Sequence, residues 1–283
     1  MKWRGRQGSR NIEDRRRSGG GGSGAKIGGL GLIVILLMGA FFGVDVTPFL
    51  QQTGPNQGGG ASTEITAEDE AAGQFVSVAL RDTEVMWEQI FRNELGRAYE
   101  PATLVLFKGR AQSPCGMASG ASGPFYCPAD RKAYLDTDFF TTLSREMGAG
   151  GDFAAAYVVA HEVAHHVQNV LGILPKVNQI RSQVSQREAN RLSVLVELQA
   201  DCYSGIWARF AQDSLGTLDE GDLAEAVNAA KQIGDDILQR KAGRYPNPHT
   251  FTHGTSEQRS SWFVRGYQSG QISQCDTFSH PNP

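Results

Sequence analysis

The stretch Asp152-Phe153-Ala154-Ala155-Ala156-Tyr157-Val158-Val159-Ala160-His161-Glu162-Val163-Ala164-His165-His166-Val167-Gln168-Asn169 decides how the rest of the chain is read. It follows the glycine break Gly148-Ala149-Gly150-Gly151 and opens on Asp152, a residue type that caps helices, so its apolar run predicts a buried helix. Inside it lies H-E-x-x-H. Four residues is just over one turn, so His161 and His165 leave the same face and can hold one Zn2+ through two imidazole nitrogens. Glu162 then sits beside the metal rather than on it, where a carboxylate can take a proton from an activated water. The bland alternative is a pair of solvated histidines, against which the apolar flank from Phe153 to Ala160 argues. His166 points about 100° away from His165 and reads as a packing or supporting residue rather than a ligand.

A catalytic zinc takes three protein ligands and keeps a fourth position open. The longer pattern with a third histidine fails, because Gln168 stands where its glycine would be and Leu171 where its histidine would be. Downstream, Val196-Glu197-Leu198-Gln199-Ala200-Asp201 puts Glu197 and Asp201 on one face of a second helix. Glu197 is the expected third ligand, and Asp201 the expected acceptor for the other ring N–H of His161. Glu188 competes as ligand, and an acidic pair on a solvated face is the alternative to a site. Leu192, Leu195, Val196, Leu198, Trp207 and Phe210 imply burial, which paired carboxylates tolerate only with a cation facing them.

Outward from these helices, periodicity predicts an amphipathic helix from Ala67 to about Arg97 and short strands at Leu104 to Phe107, Phe125 to Cys127 and Ala133 to Asp136. Further helices are expected at about Asp138 to Met147, Arg187 to Ala211 and Glu220 to Arg240. A last one starts at Thr255, where Thr255-Ser256-Glu257-Gln258 matches a capping box. The expected class is α+β, mainly helical, with a small β-sheet.

The 283 residues allow one or two folded units, and 40% apolar content excludes a wholly disordered chain. Eight of the 27 Lys and Arg fall in the first 26 residues, which leaves the remainder at a formal charge of −9 and predicts no nucleic-acid partner. Ile27 to Val44 is eighteen residues without a charge, close to the length of a membrane span. The reading is therefore a basic cytoplasmic tail (1–26), a single transmembrane anchor (27–44), a flexible linker (45–63) and a folded domain (64–283). That domain is expected outside the cell membrane, periplasmic or extracellular. A cleaved signal peptide and a buried soluble helix are the alternatives at 27–44. Cys115, Cys127, Cys202 and Cys275 all follow the anchor and suit a disulfide-permissive compartment, with Cys115–Cys127 closing a short loop and Cys202–Cys275 left over. A thiolate zinc site would want closer spacing.

Taken together, Ala160-His161-Glu162-Val163-Ala164-His165-His166-Val167-Gln168-Asn169, Glu197-Leu198-Gln199-Ala200-Asp201-Cys202 and His253-Gly254-Thr255-Ser256-Glu257-Gln258-Arg259 resemble the bacterial neutral zinc metallopeptidase family. The basic N-terminus, the apolar run, Gly123 to Pro128 and Cys275 to Phe278 are similar to it too, so the likeness covers almost the whole chain. That family in turn resembles the gluzincins, whose zinc ligands are two His and one Glu. The resemblance implies a zincin-like domain, zinc as cofactor and a peptide or protein substrate.

Thr252 to Arg259 also looks like the S/T-H-P-x-x-x-x-R element of membrane-linked gluzincins related to the prenyl-protein proteases, with Gly254 in place of the proline. From it, His253 is expected to stabilise the oxyanion formed at the scissile carbonyl, with His249 and Tyr245 as alternative donors and helix capping or packing as the plain role. The expected function is membrane-anchored peptide-bond hydrolysis with Glu162 as general base and substrate added along the strands near Phe125 to Leu135. The alternatives are a non-catalytic, membrane-tethered zinc-containing binding or assembly factor and an amidase acting on cell-wall peptides.

Overall fold

The first long helix, α1 (Ala67–Asn93), begins where the sequence offers a reciprocal cap: the Thr66 hydroxyl accepts from Asp69 N–H, and the Asp69 carboxylate accepts from Thr66 N–H. Its apolar stripe, including Phe75, Leu80, Trp87 and Phe91, is buried. The structure is a computed structural model that describes residues 1–17, 65–119 and 123–280. The described residues from 1–16 and from 65 onward fold as one unit.

The described residues hold six strands. They are β1 (Ile12–Asp14), β2 (Thr103–Phe107), β3 (Arg110–Ser113), β4 (Gly116–Ser119), β5 (Phe125–Cys127) and β6 (Lys132–Asp136). Four form a sheet in the order β1-β2-β6-β5, parallel except for β5, which runs antiparallel to β6; β3 and β4 make a separate hairpin. Because side chains alternate across a strand, Leu104, Leu106, Ala133 and Leu135 join the main helical core, while Val105, Phe107 and Tyr134 form a second small core with Cys127 and Ala118. The Cys115–Cys127 disulfide closes that second core.

Seven more α-helices lie in the described residues: α2 (Phe139–Arg145), α3 (Asp152–Val170), α4 (Ile173–Arg181), α5 (Gln186–Asp213), α6 (Asp222–Gln232), α7 (Asp235–Lys241) and α8 (Ser256–Ser269). The mainly helical α+β class expected from the sequence is what the chain adopts. Helix α3 is buried along almost its whole length. Its start is capped from a distance, since the Glu225 carboxylate on α6 accepts from Phe153 N–H at 3.1 Å; Asp152 is the first helical residue, not the cap. Helices α5 and α8 cross at a point where both carry glycine. A methyl group built on Gly205 would overlap the Phe263 carbonyl, and one on Gly266 the Cys202 carbonyl. The Cys202–Cys275 disulfide ties the residues after α8 back to α5.

Three local expectations change. The single helix expected from Glu220 to Arg240 is two, broken at Ile233-Gly234, where a side chain at Gly234 would strike Ser256 N. The loop expected between Cys115 and Cys127 contains β4 of the hairpin. Of the strands offered for substrate addition, β6 is central and cannot accept a new neighbour; only β5 is an edge.

The single-pass placement is overturned. Residues 27–44 lie outside the described residues, and among the described residues no helix is long and apolar enough to cross a membrane. More directly, residues 1–26 and 64–283 would need to lie on opposite faces of a membrane crossed once between them. Yet Ile12, Glu13 and Asp14 pair in register with Leu104, Val105 and Leu106, Lys132 binds Glu13 at 2.5 Å, and Arg6 holds the buried Asp82 with bonds of 2.6 and 2.7 Å. The basic N-terminal residues up to Arg16 are part of the fold rather than a cytoplasmic tail.

Candidate metal centre

His161 and His165 project from α3 one turn apart, and Glu197 reaches them from α5. His161 Nε2 lies 3.0 Å from Glu197 Oε2, and His165 Nε2 lies 3.5 Å from Glu197 Oε1. One ligand atom from each residue falls within 4.8 Å of the other two. Zinc bonds of about 2.0–2.2 Å at tetrahedral angles separate ligand atoms by about 3.4 Å, so this donor set fits the ion. Burial would raise the Glu197 carboxyl, but the His165 and His161 rings, with His253 beyond them, hold it well below the usual range. Burial would lower the His161 ring, but Asp201 and Glu197 push it up to about 9. The pocket is built for positive charge.

Glu162 lies between the histidines in sequence and apart from them in role. It is buried, and its Oε2 has no hydrogen-bond partner among the described residues. Burial pushes its carboxyl up against the pull of His165 and His161, which suits a group that must accept a proton.

Asp201 supports the first histidine. Its Oδ1 lies 3.0 Å from His161 Nδ1, off the hydrogen-bond direction, and accepts from the Tyr157 hydroxyl at 2.5 Å. The cation that these buried carboxylates demanded is Arg259 on α8. Its Nε donates to Asp201 Oδ2 at 2.8 Å and its Nη2 to Oδ1 at 3.1 Å, and Nη2 lies 3.8 Å from Glu197 Oε2. Arg259 is 2% exposed. In the sequence Arg259 stands only at the end of the His253 motif; the unmet charge on Glu197 and Asp201 is the signal that could assign it.

His253 stands on a loop organised by Asp235. Asp235 Oδ2 accepts the N–H groups of Thr252, His253 and Gly254 at 2.7, 2.6 and 3.0 Å, and its Oδ1 lies 3.1 Å from His253 Nδ1. Gly254 has φ +92°, which proline cannot adopt, so the departure from the S/T-H-P element reflects a different turn. Glu188 is half-buried and paired with Arg191, outside the trio, and Tyr245 is 97% exposed. His249 contributes its backbone carbonyl to Asn190. His166 is buried, with Nε2 on the Glu100 carbonyl and Nδ1 facing the Tyr126 hydroxyl, as a packing residue would be. A separate trio, all acidic, of Asp152, Asp222 and Glu225 faces the Met1 amine, 2.6 Å from Asp152 Oδ1.

With this geometry in place, the comparison with known families is decisive on kinship: the family described as "putative neutral zinc metallopeptidase" matches residues 1–278. The chain belongs to that family. It is 46% identical over 286 residues to the Escherichia coli K12 "Uncharacterized protein YpfJ", covering 98% of this chain and 99% of that one. It is 47% identical over 184 residues to the Mycobacterium tuberculosis "Uncharacterized protein Rv2575", covering 62% of this chain and 61% of that one. No solved structure matches it.

Proposed function

We propose that the chain is a zincin-like, gluzincin-type peptidase that hydrolyses peptide bonds, with His161, His165 and Glu197 holding Zn2+ and Glu162 as general base. The observation that carries this is Glu162 Oε2, a buried carboxylate oxygen without a partner among the described residues, beside a His/His/Glu trio whose spacing suits zinc. Zinc, when bound, supplies Lewis acidity that activates water and polarises the scissile carbonyl. Glu162 takes the proton from the attacking water and, with its raised carboxyl, can return it to the leaving amine. His253 donates to the developing oxyanion, and Asp235 orients its ring through Nδ1. Arg259 and Asp201 keep the His161 ring in place. An extended substrate backbone pairs with β5, an edge strand among the described residues.

The test uses the full chain, because residues 1–16 belong to the fold. The parent and Glu162→Gln are each assayed for zinc content and for cleavage of a mixed peptide library. Both should bind about one zinc, with cleavage reduced by at least about 100-fold in the variant. Equal zinc with no cleavage by the parent would defeat the peptidase reading and favour the non-catalytic zinc-containing binding factor.

A further inference from the structure

Gln168 is fully buried, Gln199 is 4% exposed, and no catalytic step uses either. They nevertheless form an unbroken chain from the second histidine to the backbone. His165 Nδ1 lies 2.9 Å from Gln168 Oε1. Gln168 Nε2 donates to the Val196 carbonyl at 2.8 Å and to Gln199 Oε1 at 3.1 Å, and Gln199 Nε2 donates to the Cys275 carbonyl at 3.0 Å.

The direction of this chain is settled at two points by groups that cannot donate. A primary amide can be turned end for end, but Val196 and Cys275 offer only carbonyl oxygens. Turning Gln199 would set its oxygen against the Cys275 oxygen, and turning Gln168 would set its oxygen against those of Val196 and Gln199. Each would bury acceptors face to face without a proton between them, which an interior without water does not tolerate. With both amides held, Gln168 Oε1 faces His165 as an acceptor, so Nδ1 must carry the proton.

We infer that Gln168 and Gln199 are positioning residues: a one-way amide relay that fixes His165 as its Nδ1-protonated tautomer and leaves Nε2, the nitrogen facing Glu197, as its metal-binding atom. The relay ends on Cys275, which is bonded to Cys202, so the segment after α8 helps to hold a ligand contributed by α3. This inference rests on the zinc reading of the site.

The test compares the full-length parent with Gln168→Met and Gln199→Met, which keep the side-chain length and remove the amide. Ring-nitrogen NMR at about pH 8, above the ordinary histidine value, reads the tautomer with and without zinc. Chelator competition reads zinc affinity. The parent's His165 should show a protonated Nδ1 in both states. Gln168→Met should bind zinc about 10- to 100-fold more weakly and, metal-free, should mix the two tautomers; Gln199→Met should shift the same way by less. If Gln168→Met does not fold, Gln199→Met and the parent spectrum carry the test. A parent His165 protonated on Nε2 and not on Nδ1, or a folded Gln168→Met within about twofold of parental affinity, overturns the relay. A parent that takes up no zinc overturns the metal reading instead, and the metal-free spectrum still decides the relay.

Discussion

The two histidines of the H-E-x-x-H helix are one turn apart, yet they are supported by opposite kinds of chemistry. His161 leans on a buried ionic cluster of Asp201, Arg259 and Tyr157; His165 leans on neutral amides that end at backbone carbonyls. The ionic side is strong but vulnerable, because removing one partner strands a charge away from water. The neutral side strands only dipoles, so losing a member costs less and shows mainly in the orientation of the ring.

The sharpest way to break this contrast is Arg259→Met. It leaves Asp201 buried beside Glu197 without its cation and should destabilise the metal-free chain by about 3–5 kcal/mol in urea unfolding. A loss below about 1 kcal/mol would mean that the cluster is not held as described.

Next in size is the Cys202–Cys275 bridge, which closes a separation of 73 residues, against 12 for Cys115–Cys127. Replacing both cysteines with serine should cost about 4 kcal/mol at the long loop and about 3 at the short one. The two also differ in kind: only the long-loop variant should weaken zinc binding, because only it frees the carbonyl at the end of the amide chain. Equal zinc affinity in both variants would confine the bridge to stability.

Gln168→Met should cost about 1–3 kcal/mol in the same urea experiment, less than Arg259→Met. An equal or larger loss would erase the distinction between the two supports.

The smallest effect concerns His253, a third histidine with an ionic partner. Burial would raise the Asp235 carboxyl, but His253 and the N–H groups of His253 and Thr252 hold it below its ordinary 3.8. Its stabilising contribution is therefore complete above the unfolded value and disappears as pH falls through the folded one. Asp235→Asn should cost about 1 kcal/mol at neutral pH and should remove that part of the parent's acid sensitivity below about pH 4. Parallel acid titration curves of stability for parent and variant would exclude Asp235 as the anchor of the loop.

The parts of the site that could be read in advance are those written in short-range periodicity. His161 with His165, Glu197 with Asp201 and the Thr255 cap are each three or four residues apart, and a helix turns that spacing into proximity whatever surrounds it. Strand β1 is not legible in the sequence because three residues in a basic, glycine-flanked segment carry no pattern of their own; they become a strand only when β2 offers an edge. The break at Ile233-Gly234 was missed for a similar reason, since the close approach of Ser256, 22 positions away, requires the glycine.

By itself, the sequence determined that a buried helix would present two imidazoles on one face with a carboxylate beside them, and that a second helix would carry a paired Glu and Asp. These follow from 3.6 residues per turn and from the exclusion of apolar side chains from water. Only the tertiary structure decided which cation would neutralise that pair, which way the amides behind His165 would run, and on which side of the molecule the first sixteen residues would lie. Each depends on groups far apart in sequence meeting where water is absent, and there a single misplaced donor or charge is costly enough to select one arrangement.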